Sequence, residues 1–312
     1  MSDQRPTLAV IGAGRVGSTL AQTLLWRGYT ITAVYSRTVE TARQISDRLN
    51  SRVAATPADA ALSAQLTFIA VPDDAIKSVC EALARDSYLA GRAIVHTSGV
   101  SDVNVLAAAK SQGAWVGGLH PMLAIRDREA SARIAFSAPW VATAPDVTFG
   151  VEAEEEPLHT WLADIVRALN GIALWLRPGQ DRARYHAAGV IASNYVVTLF
   201  AEAIDLLRSL QTDSSADERA IRHILVHLVE GTLRNLDDAP PAQALTGPIL
   251  RGDAGTIRKH LAALEQSDPQ LAQLYRLLGL RTLPLAEQRG LDAGKLTEIR
   301  LILEGNDAHD NS

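Results

Sequence analysis

Cysteine is nearly absent: Cys80 is the only one in 312 residues. One thiol excludes an internal disulfide, and with no CxxC pair or Cys/His cluster the chain offers no thiol-based metal site. No metal is therefore expected. Basic residues are not in excess either, because 30 Lys and Arg face 35 Asp and Glu. A net charge of −5 leaves no electrostatic reason to expect nucleic acid or an anionic membrane as partner. Long uninterrupted apolar runs are also missing. The longest apolar region, residues 187–203, is broken by Ser193, Asn194 and Thr198, which favours a buried helix over a membrane span. The polar stretch 1–7 runs straight into an apolar segment, so no signal peptide and a cytoplasmic location are expected.

What is present begins at residue 8. The apolar run Leu8-Ala9-Val10-Ile11 is followed by Gly12-Ala13-Gly14-Arg15-Val16-Gly17, then by Leu20, Leu24 and Leu25 at helical spacing, with Gly28 as a helix stop. This is the pattern of a dinucleotide-binding βαβ unit. Gly12 permits the turn off the strand, Gly14 lets backbone approach a pyrophosphate, and Gly17 lets the helix pack on the sheet. The helix N-terminus supplies N–H groups and partial positive charge for phosphates. At the end of the second strand, where an acidic residue would bind the ribose of NAD, the chain reads Tyr35-Ser36-Arg37-Thr38. Arg37, with the hydroxyls of Ser36 and Thr38, suits a 2′-phosphate, so NADP(H) is the expected cofactor.

Apolar strands alternate with helices through the first half. Strands are expected at 66–71, 92–96, 114–118, 140–143 and 172–176. Pro72 ends one and starts a helix. The acidic stretch 152–156 reads as a solvated loop feeding a helix over 158–169. After Pro178 helical patterns take over, at about 181–210, 218–236, 254–264, 271–278 and 293–303. The expected fold is α/β, a doubly wound, mostly parallel Rossmann sheet over residues 1–178 followed by a mostly helical domain over 179–312. Ligands of such sheets bind outside the carboxyl ends of the strands, so loops at Val71-Pro72, Ser98 and His120 should face the cofactor.

Three features carry chemistry. His186 begins a long helix, with Ser193 and Asn194 on the same broad side about 10 to 12 Å further on, a spacing that flanks a small substrate. His186 reads either as a proton donor or as an interface histidine. His120-Pro121-Met122 places an imidazole at a strand end, where the proline suggests a turn. Thr246-Gly247-Pro248 runs on to Arg251-Gly252-Asp253, with Asp253 a good N-cap. Arg251 either clamps a substrate carboxylate or ties the loop to a neighbouring helix.

Together, Gly12 to Gly17, Ser36-Arg37, Val71-Pro72-Asp73, His120-Pro121, Tyr185-His186 with Ser193-Asn194, and Thr246-Gly247-Pro248 with Arg251-Gly252-Asp253 resemble a family of proteins. In it a Rossmann-like NADP-binding domain precedes a helical domain long of unassigned function. The resemblance reaches about Leu278. That family is related to pyrroline-5-carboxylate reductases, prephenate dehydrogenases and ketopantoate reductases, and some members look like an alternative ketopantoate reductase. Where the usual ketopantoate reductase has Lys, Asn and Asn at helical i, i+4 and i+8, this chain has His186, Val190 and Asn194.

The expected function is NADPH-dependent reduction of the C=O, or less readily the C=N, of a small carboxylate, with a 2-ketopantoate-like compound as one candidate. Asn194 would orient the acceptor, His186 or His120 would supply the proton, and Arg251 would hold the carboxylate, with Ser98, Ser193 and Thr246 as further substrate contacts. A non-catalytic NADP(H) sensor is the competing class. Long apolar helices in the second domain favour a homodimer.

Overall fold

The computed structural model describes residues 5–85, 87–122, 147–177, 182–210 and 218–306. The expected strand at 140–143 lies outside these residues. The chain divides into two compact units, residues 1–194 and 195–312, whereas the sequence pattern changes at 178.

The first unit is built on one eight-stranded sheet in the order β3-β2-β1-β4-β5-β6-β7-β8. Its strands are β1 (Leu8–Ile11), β2 (Ile31–Tyr35), β3 (Arg52–Val53), β4 (Leu66–Ile69), β5 (Ala93–His96), β6 (Trp115–Pro121), β7 (Val147–Ala153) and β8 (Gly171–Trp175). All neighbouring pairs are parallel except β6 with β7. The reversal of order at β1 and β4 creates the switch point where such sheets bind ligands.

Successive side chains of a strand point to opposite faces, and the core divides accordingly. Leu8, Val10, Phe68 and Val95 lie in one apolar layer, beneath Leu158, Leu162 and Ile165 of the helix Leu158–Ala168. Ala9, Ile11, Ile69 and Ile94 lie in the other, beneath Ile76, Cys80 and Leu83 of the helix Asp73–Ala84. Covering both faces explains why the central strands read as continuous apolar runs.

In chain order the helices of this unit are α1 (Arg15–Trp26), α2 (Val39–Leu49), α3 (Pro57–Leu62), α4 (Asp73–Ala84), α5 (Ala107–Ser111), α6 (Leu158–Ala168) and α7 (Arg182–Gly189), followed by a π-helical turn, Val190–Asn194. Two sequence expectations change here. His120-Pro121 does not turn the chain: both lie inside β6, and Pro121 pairs with Phe149 of β7. Glu152 is not in a solvated loop but in β7, and it is fully buried. Its charge makes the segment look like a solvated run, yet the alternating Val147, Phe149 and Val151 are all buried.

The second unit holds α8 (Tyr195–Ser209), α9 (Glu218–Asp238), α10 (Pro241–Ala244), α11 (Pro248–Arg251), α12 (Ala254–Ser267), α13 (Pro269–Gln288) and α14 (Ala293–Glu304). Its core joins Ile257 and Leu261 of α12, Leu283 and Ala286 of α13, and Ile299 and Leu303 of α14. Asp253, Asp268 and Asp292 cap the last three helices by accepting backbone N–H bonds.

By contrast, α8 has no buried residue and α9 has only Ile221. The helical run Arg182–Ser209 is long and apolar enough to cross a membrane by length and composition. The expected buried helix over 187–203 is therefore exposed: Ile191, Tyr195 and Val197 face outward because the described chain supplies nothing to cover them.

Candidate active site

Register across the sheet sets up the site. Tyr35, Ile11, Ile69, His96, Gly118 and Glu152 form one row across six strands. The loops at Gly12, Val71-Pro72 and Ser98 leave the sheet just beyond this row, whereas His120 continues two residues further along β6. Gly12 accepts its conformation at φ +108°, and a Cβ there would lie 2.3 Å from the Ala70 carbonyl oxygen. A Cβ on Gly17 would lie 2.1 Å from the Gly12 carbonyl oxygen, so α1 packs on the turn at backbone distance. Gly14 differs, since a Cβ there meets no protein atom within 4 Å. Its backbone borders open space, as close approach of a ligand requires.

Gly14 is the N-cap of α1, and no side chain caps it. Ser36, half-buried, and Arg37 and Thr38, both exposed, follow β2, and the Gly12 N–H donates to the Tyr35 carbonyl beside them. A cleft of about 450 Å³ extends from α1 along the carboxyl ends of the strands. Arg15, Val16, Val71, Pro72 and Asp73 line one part of it, and Thr97, Ser98, Gly99, His120 and His186 the other.

Two imidazoles face each other in the second part. The rings of His120 and His186 have centroids 5.9 Å apart, and a Cβ on Gly99 would touch both, at 2.9 and 2.5 Å. His120 Nδ1 shares a 3.0 Å hydrogen bond with the Tyr185 hydroxyl. Burial, then the charges of Arg182 and His186, push the His120 pKa down to about 4, against a smaller opposing effect of Asp73. His120 is thus a neutral imidazole at neutral pH. Burial raises the Tyr185 pKa, so its hydroxyl stays protonated. The Ser98 hydroxyl oxygen accepts from the N–H groups of Val100 and Ser101, which shapes the loop.

Other sequence candidates stand elsewhere. Ser193 and Asn194 fall in the π-helical turn and are absent from the lining of this cleft, and Asn194 is exposed. The regular-helix projection from His186 does not hold across a π turn, whose wider i to i+5 bonding shifts the phase of the residues beyond it. Thr246 and Arg251 are exposed on the second unit, at the start and end of the Gly247-Pro248 turn and α11.

Sequence reasoning missed a buried polar cluster next to the cleft. His96 is fully buried, its Nδ1 accepts from the Ser98 N–H at 3.2 Å, and burial followed by the Arg182 charge lowers its pKa to about 3. Arg182 donates to the Ser98 carbonyl at 2.7 Å and lies 3.5 Å from the carboxylate of Glu152. Burial raises the Glu152 pKa against the pull of Arg182. The available signal was glycine inside strands, at Gly118 and Gly150, which marks close approach of another group.

Comparison with known proteins finds two matched segments, and the second begins within the sheet of the first unit. Residues 1–121 match the model of a Rossmann-like domain, and residues 147–282 match a domain of unknown function, DUF2520. The chain thus joins a Rossmann-like domain to a DUF2520 domain. No curated protein matches it by sequence. Among solved structures it is similar to protein TM1727 from Thermotoga maritima, with 22% identity, coverage of 91% of this chain and 99% of that one, and a TM-score of 0.68. A reductive aminase from Aspergillus terreus, in complex with NADPH and ethyl-5-oxohexanoate, is 18% identical over 97% and 93% of the two chains, with a TM-score of 0.59. A pyrroline-5-carboxylate reductase from Coxiella burnetii is 16% identical over 97% and 99%, with a TM-score of 0.56. These likenesses establish the fold.

The two depressed histidines make stability depend on pH. Unfolded histidines take up protons near pH 6.5, whereas in the fold His120 and His96 do so at about 4 and about 3. Each contributes stability that is complete above the unfolded value and is lost as pH falls toward the folded one. Urea midpoints are expected to drop between pH 7 and about pH 4.5, and less steeply in His120→Asn. Equal slopes in the two proteins would count against a buried neutral imidazole.

Proposed function

We propose that the protein is an NADP(H)-dependent reductase acting on the C=O or C=N of a small molecule. The observation that carries this reading is a single cleft bordered by the open backbone of Gly14 at the start of α1 and by the His120, Tyr185 and His186 group. The N–H groups of the first turn of α1 and the charge of Arg15 suit a pyrophosphate, and Arg37, with Ser36 and Thr38, suits a 2′-phosphate. A nicotinamide, when bound, supplies hydride. The solved relative with NADPH and a keto ester supports this assignment of cofactor and chemistry.

The protein's own part is orientation and proton supply. His120, neutral and hydrogen-bonded through Nδ1, has Nε2 available to donate a hydrogen bond to the acceptor oxygen or nitrogen, as a neutral imidazole does when it polarises a carbonyl. In that reduction negative charge develops on the acceptor atom; neutral His120 would stabilise it through the Nε2–H hydrogen bond, and the proton would come from His186 or from water. A carboxylate on the substrate is the chemistry that Arg251, an exposed guanidinium of the second unit, would recognise. A reducing compartment, the cytoplasm, suits the free thiol of Cys80.

The exposed hairpin of α8 and α9 is the surface for a second copy of the chain. It presents Val197, Leu199, Ile224, Leu228 and Leu233. Glu202, Asp205, Arg208 and Arg222 are interspersed, which lipid would not accept and a two-fold repeat of the same patch can pair. Two such hairpins make a four-helix bundle. Sedimentation equilibrium is expected to give twice the 33.4 kDa chain mass, and Ile224→Glu/Leu228→Glu to give one. A wild-type monomer would remove this assembly.

Cofactor choice is tested by titration. Arg37→Ala is expected to weaken NADPH binding by about 1.5 to 3 kcal/mol and barely change NADH. Gly14→Val, whose Cβ meets no protein atom within 4 Å, should leave the fold intact by circular dichroism and abolish binding of both. Equal losses of both cofactors in Arg37→Ala would refute the 2′-phosphate assignment.

Chemistry is tested by NADPH consumption against keto acids, including 2-ketopantoate, and cyclic imines. In the variant His186→Ala or His120→Ala, whichever group is the donor, turnover should fall by about 10²- to 10⁴-fold with cofactor affinity unchanged. Tight NADPH binding without turnover across the panel would instead favour the sensor.

A further inference from the structure

Two strand glycines leave room for polar side chains packed on the sheet. His96, Gly118 and Glu152 are register neighbours on β5, β6 and β7, and His120 and Gly150 form the next pair on the same face. A Cβ on Gly118 would lie 3.0 Å from the His96 ring and 3.7 Å from Arg182 Nη1, and one on Gly150 would lie 2.3 Å from Tyr185 Oη. The His96 ring therefore occupies the space over Gly118, with Arg182 in ordinary contact beside it, and Tyr185, nearly one helical turn after Arg182, enters over Gly150.

The Arg182 guanidinium meets three partners at once. It donates to the Ser98 carbonyl, lies beside the buried Glu152 carboxylate, and has its central carbon 5.2 Å from the centre of the Tyr185 ring. Tyr185 passes the constraint on through its 3.0 Å hydrogen bond to His120. We propose that Arg182, with Glu152 as its buried counter-ion, is the positioning residue of this site, fixing His120 through the Tyr185 ring without touching substrate. The importance of His120 to turnover rests on the function proposed above, whereas its placement does not.

The arrangement exceeds what anchoring a helix requires. A buried ion pair is commonly no more stabilising than an apolar pair of the same volume, so packing alone does not call for one. A planar guanidinium can donate to a carbonyl while its charge lies near a carboxylate and its plane near a ring, a combination that a compact ammonium does not reproduce. Charged and titratable groups facing His120 are Arg182, Tyr185 and His186 from α7, His96 from β5 and Asp73 from α4.

The experiment uses the full chain and compares Arg182→Lys, Tyr185→Phe, the two combined, and Arg182→Met/Glu152→Gln. The last removes both charges together, in case a single buried charge left unpaired prevents folding. Two readouts are taken: the NMR titration of the His120 Cε1–H, and NADPH consumption with the best substrate of the panel. In Arg182→Lys, which keeps the charge and loses the fork, the His120 midpoint should rise by about one pH unit toward the ordinary histidine value. Turnover should fall by about 10²-fold with NADPH affinity unchanged. The combined variant should be no worse than Tyr185→Phe alone, because one residue acts through the other. A lower melting temperature with the His120 midpoint unmoved, in Arg182→Lys or in the Met/Gln pair, would make Arg182 merely structural and overturn the proposal. Failure of the wild type to consume NADPH would sink the functional reading while leaving the titration to decide the positioning.

Discussion

Backbone hydrogen bonding in register, carried from β2 through β1, β4, β5 and β6 to β7, aligns Tyr35, Ile11, Ile69, His96, Gly118 and Glu152 in a single row. Segments far apart in the chain, from Gly12 to Ser98, leave the sheet at the same height because of it. A slip of one residue in any strand would turn its side chains to the opposite face. His96 would then lose its place beside Gly118, and His120 would lose Tyr185. Apolar packing on both faces is what penalises such a slip.

Glycine does two kinds of work along this row. At Gly12 and Gly17 it allows backbone to meet backbone, which holds the turn and helix that open the cleft. At Gly118 and Gly150 it leaves hollows in the sheet that the His96 ring and Tyr185 fill, with Arg182 packed beside the first. The second use couples α7 to the sheet through polar groups, so the helix carrying His186 and the strand carrying His120 are held in a common frame. Charge burial is the cost of that frame, and Glu152, Arg182 and His96 all show it as pKa values moved toward their neutral forms.

Legibility in the sequence tracked the range of the interactions involved. The dinucleotide turn was readable because its determinants, Gly12, Gly14, Gly17 and the apolar run before them, lie within ten residues and act locally. His120 and His186 were readable as candidates by residue type, but their facing geometry was not, since β6 and α7 lie more than sixty positions apart. Glu152 was misread as solvated because local charge density outweighed the alternation of Val147, Phe149 and Val151. Asn194 was projected on a regular helix, and the π-helical turn at Val190–Asn194 altered its phase.

By itself, then, the sequence determined the parallel sheet, the turn that opens α1, the helical character of the second unit and the residue types suited to a phosphorylated dinucleotide. These depend on periodicity, backbone freedom and capping, which act over a few residues. Tertiary structure alone decided that β7 runs antiparallel to β6, that Gly118 and Gly150 are hollows for His96 and Tyr185, and that His120 is neutral. Those outcomes depend on which surfaces meet and on how far water is excluded from them, and both are set only when distant segments pack.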